Sequence, residues 1–183
     1  NRARGNHAAI VGGYSNYVFS TGAAIGGGEY NTATYGFSTV AGGEKNTATG
    51  PYSTVGGGGQ NEAGGGVGSG CAVVGGGRFN YVHGDWATIC GGFTNRVTGE
   101  GGAMLGGAKN SLFGSYGSMG GGFQNTLGTD ATYAVVSGGE GNTNFSDHTV
   151  IGGGGKNVIR TNSEYATIAG GQENIVGANA RHA

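Results

Sequence analysis

Proline occurs once in 183 residues, cysteine twice, and charged side chains make up only 10% of the chain. The missing proline excludes collagen, which needs it in abundance beside a glycine at every third position. Two cysteines, Cys71 and Cys90, are too few for a disulfide framework. Nine Lys+Arg against ten Asp+Glu leave a net charge of −1, so bulk charge recruits neither nucleic acid nor an acidic membrane. No apolar run approaches the ~18 residues that a membrane span requires, so this segment is not expected to insert into a bilayer. Glycine, at 47 residues, leaves no room for conventional helices.

What is abundant is a repeat. Asparagines at Asn1, Asn16, Asn31, Asn46, Asn61, Asn80, Asn95, Asn110, Asn125, Asn142, Asn157 and Asn174 are separated eight times by 15 residues and otherwise by 19, 17 and 17. A Gly-Gly pair stands three and four residues before each asparagine after the first, from Gly12-Gly13 to Gly170-Gly171. Six residues before it runs an apolar column that includes Ile10, Val40, Ile89, Met119 and Ile168. Two residues after it runs a second column, Ala3, Val18, Ala63, Leu112 and Ile159 among them, with Asn144 as its exception. Small residues such as Ala8, Ser38, Ala72 and Ala166 stand eight before.

Alternation inside each unit is the signature of short strands, and a fixed period between units is that of a solenoid. The spacing predicts an all-β fold: a parallel β-roll or β-helix with 15-residue turns, one domain over residues 1–183 with about twelve turns. At ~4.8 Å per level such a column rises about 53 Å. The asparagine column predicts a side-chain ladder meeting corner N–H and C=O groups; the alternative is a set of solvated turn formers. Each turn buries only three small or medium side chains, which predicts an oligomer.

Nine residues before the asparagine lies a column rich in aromatics, Phe37, Tyr52, Trp86, Tyr116, Tyr133 and Tyr165, with His7, Gly22, Cys71, Gly101 and His148 filling the other positions. Beside it, two residues on, runs a small and β-branched column from Ala9 and Ala24 to Thr167. The aromatic stripe reads either as a subunit interface or as an exposed binding face.

The stretches "FSTVAGGEKNTATG", "YSTVGGGGQNEAGG" and "YATIAGGQENIVGA" resemble the Gly-rich head repeats of trimeric autotransporter adhesins of the YadA-like type, and similar repeats in phage tail-fibre shafts. The resemblance covers essentially the whole chain. It implies a left-handed parallel β-roll assembled as a homotrimeric fibre, located on a cell surface or virion, with adhesion to a host-surface receptor. The unit departs from those heads in its 15-residue length, where theirs is typically ~14, and in its aromatic stripe.

The remaining chemistry is thin. Ser146, Asp147 and His148 are consecutive, and His83 lies two residues from Asp85; in a strand, neighbours face opposite ways, so neither set is expected to converge as a catalytic site. The chain is therefore read as a non-enzyme. Asp85, Asp130 and Asp147 share no column, His7 and His148 lie nine turns apart, and no zinc spacing occurs, so no metal or other cofactor is expected. Gly-x-Gly matches lack the helix that a phosphate site requires. Cys71 and Cys90 fall in different columns and are expected to stay free thiols. The longer turns place extra residues around Gly64–Gly70, Gly128–Thr132 and Arg160–Ser163, expected to protrude as loops. Carbohydrate is the receptor class that the aromatic faces suggest. Two alternatives are a self-polymerising filament, since both ends fall inside the repeat as in a piece of a longer fibre, and an ice-binding solenoid, disfavoured because its outward column holds only Thr39, Thr54, Thr88 and Thr167.

Overall fold

The computed structural model describes residues 1–65 and 70–183. The turn expected at Gly64–Gly70 therefore lies largely outside the described residues.

Every strand is two residues long, from Arg2–Ala3 to Ile175–Val176. Such short strands are stable only through stacking, because each adds a single rung to a ladder. They form two parallel sheets: sheet A with 12 strands, built from the residues just after each asparagine, and sheet B with 11, built from those six and seven before it. The register advances by one repeat per rung, as in Thr32↔Thr47 and Thr39↔Thr54. It absorbs the longer turns without slipping, since Val55 pairs with Val74 and Leu127 with Asn144. A third ladder of single bridges runs from Tyr14↔Glu29 to Gly155↔Gln172. The chain is thus an all-β parallel solenoid of about eleven coils.

The two apolar columns and the small column fill the interior. Val18, Val40, Leu112, Met119 and Ile159 are fully buried. The small column supplies Ala23, Ala72, Ala87, Ala134 and Ala166 at 0% exposure, with Thr149 as its one branched member, also fully buried.

Two corners per coil use left-handed backbone. The residue before each asparagine has φ between 52 and 58° where it is not glycine, and the ring column sits at 54–63°. For non-glycine residues this costs about 1 kcal/mol each. The repeat imposes the geometry all the same, because each such corner also donates its N–H to the preceding coil, as Phe37 does to Thr21 O at 3.0 Å and Trp86 to Gly70 O at 3.1 Å. The ring column therefore belongs to a corner and not to the outward phase of a strand.

In the described longer turns the extra residues Thr129, Asp130, Thr161 and Asn162 stay outside. Ala131 and Ser163, eleven residues before their asparagines, are buried in the same column as Gly84, Gly99, Gly114 and Ser146 of other coils, so each insertion leaves the interior unchanged.

Candidate functional site

The asparagine column lies inside the solenoid, and from Asn16 to Asn157 no member is more than 1% exposed; Asn174 is exposed. Each amide joins two coils. Asn31 donates Nδ2 to Gly27 O of its own coil at 2.9 Å and to Gly43 O of the next at 2.8 Å. Its Oδ1 accepts the N–H of Asn46 at 2.9 Å. The same pattern recurs at Asn61, Asn80, Asn95, Asn110, Asn125 and Asn142. The ladder is structural, since both N–H donors and the carbonyl oxygen of the amide are engaged by protein groups.

The ring column is outside. Phe37, Tyr52, Trp86, Tyr116, Tyr133 and Tyr165 are all exposed. Phe37 and Tyr52 stack with centroids 5.3 Å apart and planes at 6°. A longer run follows in which Tyr116, Tyr133, His148, Tyr165 and His182 succeed one another at 5.0–5.3 Å. Ring faces within these runs are covered by neighbouring rungs, leaving their edges to solvent.

Acidic residues accompany the column one position before it: Asp85, Glu100, Asp147 and Glu164. Glu100 Oε1 accepts the Tyr116 hydroxyl at 2.6 Å, and this bond, before partial burial, holds the Tyr116 phenol above its ordinary pKa. Glu164 is held below the usual carboxylate range by its own backbone N–H first, with Arg181 assisting. Asp147 and His148 meet, Oδ2 to Nδ1 at 3.0 Å. The strand argument against such a contact fails here because the pair sits in a corner. Ser146 does not join them: it is buried, and its Oγ accepts the N–H of Ser163 at 2.7 Å.

His83 turns away from Asp85. On the outer face of sheet A its ring lies 4.2 Å from that of Tyr81, with Nδ1 3.1 Å from the Tyr81 hydroxyl and Nε2 3.1 Å from Glu62 Oε1. Burial first, then the Glu62 charge, raises the Tyr81 pKa, which is the wrong direction for a nucleophile. Among the described residues no group of three His, Cys, Asp or Glu side chains is close enough to hold a metal ion. Cys71 and Cys90 are free thiols, the first in the ring column and the second on the outer face of sheet B.

That outer face of sheet B joins the small and β-branched column noted in the sequence to a second column that the sequence reading passed over. It consists of the columns seven and five residues before the asparagine, from Ala9, Ala24 and Thr39 to Thr167, and from Val11, Gly26 and Ala41 to Ala169. None of the nineteen charged residues falls in either column. Its aliphatic members Val11 and Leu105 are, among the described residues, the two most exposed large hydrophobic side chains, at 84% and 68%. The charges lie on sheet A, at the third ladder and beside the rings, as with the Lys45–Glu44 and Lys156–Glu173 pairs. The signal was available in the sequence as two adjacent columns with no Asp, Glu, Lys or Arg.

No protein-family profile matches the chain, and no curated protein matches it.

Proposed function

We propose that the chain is a structural and adhesive segment of an extracellular fibre. Three copies lie side by side along their sheet-B faces and turn the ring columns outward to a receptor on a host surface. The observation that carries this reading is the charge-free outer face of sheet B, which runs the length of the solenoid and exposes Val11 and Leu105. Small uncharged side chains on this face let a second copy approach closely, and its exposed aliphatic members gain by burial. Burying it also supplements a core that holds only three side chains per coil. The threefold number, left-handed winding and location at a cell surface or virion follow the resemblance of the repeats to YadA-like heads and tail-fibre shafts. The reading involves no catalysis, cofactor or nucleic acid.

The native mass of the wild-type chain and of Ala103→Glu tests it. Ala103 lies in sheet B's outward column, so a carboxylate there meets its copies without a partner. A trimer of 17.9 kDa chains in the wild type and monomers in the variant are expected. A wild-type monomer overturns the reading.

A further inference from the structure

In the middle coils charge is sorted to different sides of the solenoid. Arg78, Arg96 and Lys109 are the only Lys or Arg between Lys45 and Lys156. Each stands within two residues of an interior asparagine, Asn80, Asn95 or Asn110 of three successive coils, so all three lie along the edge where the third ladder meets sheet A. The carboxylates between Glu62 and Glu140 are Asp85, Glu100 and Asp130, and they stand at the other end of sheet A's strands, one to three residues before the ring column.

The three cations are held but not neutralised. Arg78 lies over the Phe79 ring at 4.9 Å, Arg96 over Tyr81 at 5.1 Å and Lys109 over Phe123 at 5.5 Å. Among the described residues none of them is ion-paired, whereas Lys45, Lys156 and Arg181 each meet a glutamate. A ring fixes a cation through its quadrupole and leaves the charge uncompensated. Arg78 uses one N–H on Gln60 Oε1 at 3.3 Å and keeps the rest of its five donors for another acceptor. The glutamates on the N-terminal side of the edge are engaged already, Glu44 by Lys45 at 2.7 Å and Glu62 by His83 at 3.1 Å. The third ladder fixes the order: Arg78 bridges to Phe93, and Phe93 to Ala108, the neighbour of Lys109. Exposed Phe93 therefore lies one rung from each, and Arg78 and Lys109 attach two rungs apart, ~9.6 Å.

The edge selects its guest by what it does not offer. An extended peptide finds no strand edge to join, because the backbone here is bonded to neighbouring coils, Phe93 N–H to Gly107 O and Thr94 N–H to Arg78 O, both at 2.9 Å. Nucleic-acid bases need ring faces to stack on, and three of the four rings already carry cations. A chain of sugars bearing sulfates or carboxylates needs neither. Its anions meet the cations at intervals along the axis, and a C–H face rests on Phe93.

We propose that this edge, with Arg78, Phe93, Arg96 and Lys109, binds an acidic polysaccharide running along the solenoid axis. It is a surface apart from the ring column. The proposal rests on the reading above in one respect, that copies associate through sheet B and leave this edge in solvent.

Heparin, which carries both sulfates and carboxylates, is the probe. The assembled protein is titrated with it by calorimetry at low and high salt, against neutral dextran, poly-glutamate and an oligothymidylate, with native mass recorded on the same samples. Saturable binding that weakens with salt is expected. Combined Arg78→Gln, Arg96→Gln and Lys109→Gln should weaken it at least about tenfold. Combined Lys45→Gln, Lys156→Gln and Arg181→Gln removes the same charge from paired cations and should leave the affinity within about twofold. The proposal is overturned if heparin does not bind, if the two triple variants lose affinity equally, or if dextran, poly-glutamate or the oligothymidylate binds as tightly as heparin. A trimer that does not bind heparin overturns this site alone, whereas a monomer that binds it overturns the assembly alone.

Discussion

Asn46 Oδ1 accepts the backbone N–H of Asn61 from the next coil at 3.0 Å. The same amide donates to Gly42 O and Gly58 O, both at 2.9 Å, so one side chain closes the corners of two coils. Gly58 O still accepts the N–H of Glu44 at 2.9 Å, so Asn46→Ala leaves one carbonyl, Gly42 O, and one N–H, that of Asn61, without partners. A loss of about 2 kcal/mol or more is expected, at ~1–3 kcal/mol per stranded group. Urea unfolding measures it, and a loss below ~1 kcal/mol would show that water replaces the amide.

The paired glycines are not equivalent. Gly43 has φ +91°, and a Cβ there would lie 2.1 Å from Gly58 O, a backbone atom fixed by its own ladder. Gly42→Ala meets nothing nearer than 4.0 Å. Gly43→Ala should cost at least about 2 kcal/mol, while Gly42→Ala should be neutral or slightly stabilising. Thermal unfolding of the two variants separates them, and equal effects would contradict the assigned corner.

Asn144 replaces an apolar residue in the core and stacks between Leu127 and Ile159. Its Oδ1 accepts the Thr149 hydroxyl at 2.8 Å, but its Nδ2 is buried without a partner. Thr149 keeps a second bond to Ser146 O at 2.6 Å. Oδ1 also accepts the N–H of buried Ser146 at 3.2 Å, so Asn144→Leu removes one unpaired group and strands another; the two offset, and a change of less than about 1 kcal/mol is expected from the urea midpoint.

Fold and site were legible to different degrees. The asparagine spacing and the two apolar columns located the sheets and the core, because period two within period fifteen is a direct consequence of strands stacked in register. The corner at Phe37, Tyr52 and Trp86 was harder to read. Left-handed backbone at aromatic residues is uncommon, so those residues looked like outward strand positions. Gly22 and Gly101 standing in the same column were the clue, since only a corner at positive φ accepts glycine and tyrosine in turn.

The Tyr116 phenol, raised above its ordinary pKa mainly by its bond to Glu100, supplies a pH test. A raised folded-state value means that the protonated phenol is favoured in the fold. Its contribution is therefore fully present below the ordinary tyrosine pKa and is lost as pH rises through the folded value. Glu100→Gln removes the charge, so Tyr116 should titrate at lower pH in the variant than in the wild type, followed by the Cζ chemical shift. An unchanged titration would contradict the contact.

The most direct test of the assembly is the relative reactivity of the two thiols. In the single chain Cys90, on sheet B's outer face, is the more exposed, while Cys71, between Tyr52 and Trp86 in the ring column, is half-buried. If copies bury the sheet-B faces, the order reverses: in the native protein Cys71 reacts with a maleimide and Cys90 is protected at least about tenfold until the assembly is dissociated. Faster modification of Cys90 than of Cys71 in the native protein would contradict the account.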